Sequence, residues 1–529
     1  MKYYRKYYRM IKDSQTTYNS GPPNDTLSKE RDLVNALLIY PEIPDTFWSF
    51  KHALKFIRKK AASPPLGLLT VASMLPPEWT KRLVDINVRK LTKEDLTWAD
   101  YALISAMTVQ RDSAYETIAQ CKEAGLRVIA GGPLFTTEYE QFETVDHFVL
   151  NEAELTLPAF LEDLAQGCAK RVYATSDFAD IRKTPAPMWE LAHFGDYASM
   201  SIQFSRGCPY NCDFCNVTVL FGHRPRTKTA VQMIAELDSL YHLGWRSGVF
   251  FVDDNLIGNK RHLRTDLLPA LIKWRKDKKG VPFGTEVSIN LADDEQLIQM
   301  MVKAGFDTVF IGIETPNEDS LAECSKKQNL NRDLVEDVKR IQRAGLQVQG
   351  GFILGFDNDS PITFRRLIDF IQKSGIVTAM VGLLQAPPGT KLYERLKQAG
   401  RLLDRISGDN VDGTTNIIPA MSLDALRKGY KDVLQHIYSP EVYYQRVKTF
   451  LREYRPPQIK VPLNFHHVSA NIHAFIRSIF QLGIVGKERF QYWKLFLWTL
   501  ARRPRAFPLA ITLAIYGHHF RKTCKLHVL

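Results

Sequence analysis

Cysteine is scarce in this chain. Of seven residues among 529, four stand singly at Cys121, Cys168, Cys324 and Cys524, so no disulfide framework is visible and a reducing compartment is expected. Long apolar runs are missing too. No stretch reaches the roughly 18 residues that would mark a membrane span. The basic segment Met1–Arg9 runs into polar residues where a secretion signal would carry its apolar core. These absences predict a cytoplasmic protein, peripheral to a membrane at most. Acidic side chains are outnumbered, 57 against 70 lysines and arginines, and the net charge of +13 favours an anionic contact, whether nucleic acid, phospholipid surface or acidic substrate. Charge alone does not choose among them.

What is present suffices for real cores. A hydrophobic share of 45% and a charged share of 24% are those of a soluble globular protein. At roughly 100–200 residues per domain the length suggests three or four units. Residues 1–34, polar and aromatic and broken by Gly21-Pro-Pro-Asn-Asp25, read as a flexible arm. Over 35–165 short apolar runs (Asn35–Tyr40, Arg82–Asp85, Tyr101–Ser105, Arg127–Gly132, His147–Leu150) alternate with helical patterns such as Asp112–Ala124. That alternation predicts an α/β fold, a Rossmann-like doubly wound parallel sheet that binds its ligand at the carboxyl ends of the strands. Gly131-Gly132-Pro133 falls at such an end, and two readings stand: close backbone approach to a bound group, or a simple turn. Residues 166–195, with Pro185 and Pro187, read as a linker.

Over 196–400 six further strand runs follow, Met200–Phe204, Gly248–Asp253, Phe283–Val287, Thr308–Glu314, Gln347–Gly355 and Thr378–Gln385, separated by helical stretches such as Val231–Leu243. They predict a partial (β/α)6 version of the eight-fold barrel, with active groups at the strand carboxyl ends. Residues 401–529 are helical and basic. Trp493–Leu500 shows an apolar, aromatic face. Ala506–Tyr516, too short to cross a bilayer, is either an interfacial helix or one packed on the barrel.

The chemistry concentrates in Ser205-Arg-Gly-Cys208-Pro-Tyr-Asn-Cys212-Asp-Phe-Cys215, directly after the first barrel strand. Three thiolates at C-x3-C-x2-C spacing suit an iron-sulfur cluster whose fourth iron has no protein ligand. Zinc is the alternative, but a structural zinc site wants four ligands, and no second C-x2-C pair exists. Two carboxylates, Asp253 and Asp254, close the second strand; Glu286 closes the third and Glu314 the fourth. A carboxylate on an inward strand end is costly unless it meets a partner, and Glu314 is the better candidate of the last two. Arg224, Arg226 and Lys228 form either a solvated basic loop or a group near a cofactor or substrate mouth.

This loop resembles that of the radical S-adenosylmethionine (radical SAM) enzymes, and Ser205-Arg-Gly-Cys208-Pro is the form frequent in members with an N-terminal cobalamin-binding domain. The resemblance implies a 4Fe-4S cluster on Cys208, Cys212 and Cys215, with S-adenosylmethionine on the open iron. It places the cofactor's amino group near Asp253 and Asp254 and its ribose or ammonium near Glu286 and Glu314. The family's G-x-I-x-G motif is matched by Gly351, Ile353 and Gly355, beside the adenine. The resemblance also implies cobalamin on the N-terminal sheet, near Gly131 and Gly132, although the Asp-x-His-x-x-Gly motif that supplies a lower cobalt ligand in many cobalamin proteins is absent; Pro41-Glu42 and Met107–Gln110 occupy the strand-end loops instead.

Among such enzymes the chain is similar to the group containing the hopanoid C-2 methylase, through Leu38–Glu42, Thr46-Phe-Trp48, Pro64–Gly67, Arg224–Lys228 and Val252–Asn255 with Gly258-Asn-Lys260. The similarity implies a class B radical SAM methylase acting on an unactivated carbon of a small molecule or hopanoid-type lipid. An electron donor such as flavodoxin or ferredoxin would serve it, with peripheral membrane contact and no nucleic acid. The alternative is a radical SAM cyclase, oxidoreductase or methylthiotransferase.

Overall fold

The computed structural model describes residues 34–278, 280–403, 406–409, 411–456 and 465–528; the arm read over 1–34 lies outside the described residues but for Val34. The first sheet has six strands: β1 (Asn35–Tyr40), β2 (Thr80–Asp85), β3 (Tyr101–Ser105), β4 (Arg127–Gly131), β5 (His147–Val149) and β6 (Val172–Tyr173). All pair in parallel, in the order β2-β1-β3-β4-β5-β6. A strand covered on both faces reads as an unbroken apolar run, and Ala36–Ile39 is buried throughout. Alternate residues feed two cores. Leu37, Ile39, Ile104 and Val128 pack under helix Arg111–Glu123. Ala36, Leu38, Leu103 and Ile129 pack under α1 (Leu66–Met74) and a helix at Ala153–Ala165. We number these two later helices α2 and α3. Strand β6 lies in the stretch read as a linker: two residues are too short for a periodic signal.

The second sheet is built from β7 (Ser199–Ile202), β8 (Gly248–Phe251), β9 (Phe283–Glu286), β10 (Phe306–Glu314), β11 (Gln347–Leu354) and β12 (Ala379–Leu383). They lie in sequential order and in parallel, the partial barrel that the six runs predict. Between them run α4 (Ala230–His242), α5 (Leu268–Arg275), α6 (Glu295–Ala304), α7 (Leu334–Arg343) and α8 (Pro361–Ser374). Helix starts follow capping chemistry. Thr229 and Gln232 form a capping box on α4, and Asp294 accepts the Leu297 N–H at 3.0 Å on α6. Val309, Ile311, Val348 and Leu354 are buried under these helices. Their alternates Phe310, Gly312, Gly351 and Ile353 are half-buried on the inner face.

The C-terminal region is helical as expected: α9 (Leu423–Tyr438), α10 (Pro440–Glu453), α11 (Phe465–Ser478), α12 (Arg489–Arg502) and α13 (Phe507–His527). It is joined to the barrel through the Tyr438 hydroxyl, which donates to the Ala379 carbonyl at 2.5 Å. Helix α13 decides between the two readings of Ala506–Tyr516. Ala510, Leu513 and Ala514 are buried, and the Tyr443 hydroxyl donates to the Leu513 carbonyl at 2.6 Å, so this segment packs inside. No helix of the described residues is long and apolar enough to cross a membrane.

Candidate functional site

The cysteine loop leaves β7 and is braced from below by the residues after β8. Asp253 is fully buried, and its carboxylate accepts the Phe204 N–H at 3.1 Å, the Ser205 N–H, and the Ser205 hydroxyl at 2.5 Å. Asp254 accepts the Gly207 N–H at 3.3 Å. Gly207 turns the chain at φ +92°, and a Cβ there would lie 2.9 Å from the Phe221 and Gly222 carbonyls, so no side chain fits. Beyond it, Cys208, Cys212 and Cys215 are half-buried free thiols. Tyr210 accepts from the Asn290 amide at 2.9 Å, and the Gln328 amide donates to the Cys212 sulfur at 3.8 Å. The loop is thus held by its backbone and by Tyr210, with the thiols left for a ligand.

Beside it the charges are unevenly matched. Glu314, at φ +64° where the β10–β11 register shifts, is met by Lys326, whose Nζ donates to Oε1 at 2.6 Å; both side chains are largely buried. A Cβ on Gly312 would fall 2.3 Å from that carboxylate oxygen, so the glycine makes room for the pair. Lys326 is held well above the usual lysine range by Glu314 and by the neighbouring cysteines, which outweigh its desolvation. Glu286 has no such counter-ion. Among the described residues it accepts no hydrogen bond, and burial, with Asp254 and Asp253 nearby, pushes its carboxyl up to about 8. Burial likewise raises Asp253 to about 7 and Asp254 to about 6.

The inner wall is apolar. A Cβ on Gly284 would touch the Phe250 ring at 3.0 Å and one on Gly351 the Phe310 ring at 2.8 Å: each glycine has a ring laid over it. Trp48, from the loop after β1, packs on Phe310 with ring centroids 4.9 Å apart. Ile353 joins Phe214 of the cysteine loop on the cluster of Phe356 and Leu384. At the end of β11, Gly355 donates its N–H to Asp359 at 2.8 Å.

Ser205–Arg206 and Arg226–Thr227 pair antiparallel on either side of the cysteine loop, and two acids at the start of α3 clamp the first sheet to this cysteine hairpin. Glu152 takes Arg226 in a bidentate pair at 2.7 and 2.8 Å, and Glu154 takes Arg206 at 2.8 and 3.0 Å. Lys228 is buried against Glu236 at 2.5 Å. Arg226 and Lys228 therefore belong to internal ion pairs, and Arg224 alone of the three is exposed.

These features, a three-cysteine loop over the carboxyl ends of six parallel strands, coincide with a family match. The radical SAM superfamily model matches residues 202–371, and a domain of unknown function, DUF4070, matches 390–528. An uncharacterized methyltransferase of Synechocystis sp. is 40% identical over 92% of this chain and 91% of its own. The hopanoid C-2 methylase of Rhodopseudomonas palustris is 33% identical over 88% of this chain and 89% of its own. The chain belongs to the radical SAM methyltransferases. The structure of the cobalamin-dependent S-adenosylmethionine radical enzyme OxsB shares the fold at a TM-score of 0.59 and 13% identity, covering 94% of this chain and 81% of that one. The alternative of a cyclase gives way to these methyltransferase relatives.

For a radical SAM methyltransferase the donor set fits the cluster. No three His, Cys, Asp or Glu side chains among the described residues converge so as to hold one metal ion. A zinc needs all its sulfurs about 2.3 Å from one centre, whereas a cluster is held by thiolates on several irons, and Cys208, Cys212 and Cys215 supply three free thiols for it. Three of the expected sites have partners within the protein itself. Asp253 directs its carboxylate at the backbone of 204–205 and so braces the loop. Glu314 is paired with Lys326, whereas Glu286 has no ion-pair partner among the described residues. Gly131 and Gly132 are required by their own sheet: a Cβ on the first would sit 2.6 Å from the Val149 carbonyl, and one on the second, at φ +91°, 2.4 Å from the Ser105 hydroxyl. Gly132 takes the positive φ that a turn uses, and Gly131 is the last paired residue of β4. Sequence reasoning missed Lys326 and the two clamp acids, and singled out Trp48 only within a segment of family likeness. Ser-Lys-Lys at 325–327 carries no periodic signal, and pairing across 52 and 74 residues leaves none at all.

Proposed function

We propose that this methyltransferase acts on an unactivated carbon of an apolar, hopanoid-type lipid. The observation that carries the reading is the aromatic wall of Phe250, Phe310 and Trp48 beside the cysteine loop. It offers ring faces and little hydrogen bonding, as suits a flat hydrocarbon. The likeness to the hopanoid C-2 methylase supports it. In this reading Cys208, Cys212 and Cys215 hold the cluster. Glu286 and Asp254 accept the cationic methionine end of S-adenosylmethionine, and Gly351, Ile353 and Gly355 border its adenine. Cobalamin fits the crevice where the first sheet's order reverses, between β1 and β3. There Gln110 is buried, donating to the Pro41 carbonyl at 2.6 Å and accepting the Met107 N–H at 2.9 Å, while Met107 presents an apolar side chain at the strand end.

When bound, the cluster supplies an electron, S-adenosylmethionine a hydrogen-abstracting radical, and the corrinoid a methyl group. The protein's own part is position and dryness. Asp253 fixes the loop's start, the Glu152–Arg226 and Glu154–Arg206 pairs fix the corrinoid-side sheet against it, and the aromatic wall excludes water. Flavodoxin or ferredoxin serves as the electron donor. Anaerobic protein reconstituted with iron, sulfide and hydroxocobalamin should show cluster and corrinoid absorbance, and with methyl-deuterated S-adenosylmethionine should give a hopanoid three mass units heavier per methyl. Replacing any one of Cys208, Cys212 or Cys215 by Ala should abolish cluster absorbance and cofactor cleavage. Failure to retain a corrinoid would remove cobalt-borne methyl transfer, and labelled product from a non-lipid alone would remove the lipid.

A further inference from the structure

We infer that the hairpin of α11 and α12 is a docking face for an anionic phospholipid surface. The two helices are held together on their inner sides. The Ser478 hydroxyl and the Tyr492 hydroxyl share a hydrogen bond at 2.9 Å, Trp493 donates to the Gly483 carbonyl at 2.9 Å, and Phe475 stacks on Phe496. The outer sides are apolar and open. Ile472, Ile476, Phe480 and Ile484 recur every fourth residue, and with Val485 and Phe490 at the tip they are 53–68% exposed. A contiguous exposed apolar patch of this kind marks an interaction site.

The charges name the occupant. Between Tyr454 and Leu529 the sole carboxylate side chain is Glu488, and it is turned inward to Arg521 at 2.7 Å. Lys487, Arg489, Lys494, Arg502 and Arg505 remain outward and exposed. A second copy would bring like charge against like, whereas an anionic bilayer accepts both the basic rim and the apolar tip. Helix α11 runs on as a π-helical stretch over Ile479–Val485, which carries Phe480, Ile484 and Val485, and α12 has 14 residues, about 21 Å at 1.5 Å per residue. No helix of the described residues is long and apolar enough to cross a membrane, so the hairpin would lie in the interface. Arg477 of α11 donates to the Lys55 carbonyl. The segment it holds continues from Trp48, so the docked face adjoins the loop that reaches the aromatic wall.

The test is flotation of the reconstituted full chain with vesicles of phosphatidylcholine alone or with phosphatidylglycerol. Binding should require phosphatidylglycerol and weaken with salt. The triple variant Ile484→Ser, Val485→Ser, Phe490→Ser should bind about tenfold more weakly or less, with unchanged circular dichroism because these side chains are exposed. Lys487→Glu with Arg489→Glu should lose the preference for phosphatidylglycerol. No binding by the unmodified protein, or undiminished binding by the triple variant, overturns the proposal. So does a dimer in sedimentation that the triple variant abolishes without any vesicle binding. Cleavage of S-adenosylmethionine in solution reports on the cluster separately.

Discussion

At the scale of single residues, the two acids closing β9 and β10 look alike in the sequence and differ in their neighbours. Glu314 has the Lys326 ammonium 2.6 Å away, whereas for Glu286 burial and the nearby Asp254 and Asp253 outweigh the more distant pull of that same lysine. Removing one partner of a buried pair strands the other, at a cost of about 3–5 kcal/mol. Lys326→Met should therefore lower stability by about that much in urea unfolding, and adding Glu314→Gln should recover most of it; an uncorrected double variant would mean that the lysine acts through something other than its pair. For Glu286 the sign follows from its raised pKa. A folded pKa above the unfolded one gives stability that is present at low pH and lost as pH rises through about 8. The permanent sulfonium charge of S-adenosylmethionine favours the ionised form, so its affinity should rise between pH 6 and 8. Glu286→Gln should flatten that dependence in equilibrium dialysis. An unaltered slope would assign it to another group.

At the scale of elements, the strands were legible because burial imposes period two and unbroken apolar runs, and the C-x3-C-x2-C loop was legible because its chemistry is local. What holds the elements to one another was not. The start of α3 shows why: Glu152 at the N-cap and Glu154 in the first turn stand where the helix dipole favours acids in any case. Only the fold brings Arg206 and Arg226 onto them from the cysteine hairpin. Nor does the sequence show that Asp253 accepts the Phe204 and Ser205 N–H groups, or that Gly132 lies against the Ser105 hydroxyl. Because Glu152 is buried and also accepts the Ala179 N–H at 2.5 Å, Glu152→Ala should cost about 3–5 kcal/mol. The loop it restrains should bind less iron on reconstitution. Glu152→Met with Arg226→Met should regain stability in the same melts, while its iron content shows whether the clamp matters beyond stability.

At the scale of the whole molecule, the C-terminal helix closes the fold on the segment after β1. Phe47 and Phe50 pack against Phe520, and His519 stacks on Phe50 at 5.2 Å while its Nε2 meets the Phe47 carbonyl at 3.2 Å. His52 lies next to it, ring centroids 5.7 Å apart. Burial lowers both imidazoles to about 4. Their contribution is fully present above the unfolded value of 6.5 and is lost as pH falls toward 4, at up to about 1.4 kcal/mol per pH unit for each group. The raised acids of the barrel mouth act oppositely, gaining stability on acidification, so the ligand-free protein should show a shallow net slope below pH 6.5. His519→Phe separates the two. It keeps the aromatic packing but loses a hydrogen bond, about 1 kcal/mol at neutral pH, and it removes one titration. The variant should be the less stable protein at pH 7, and its deficit should shrink or reverse by pH 4.5. A deficit that stays constant across that range would show that the joint between the two ends of the fold does not sense protons.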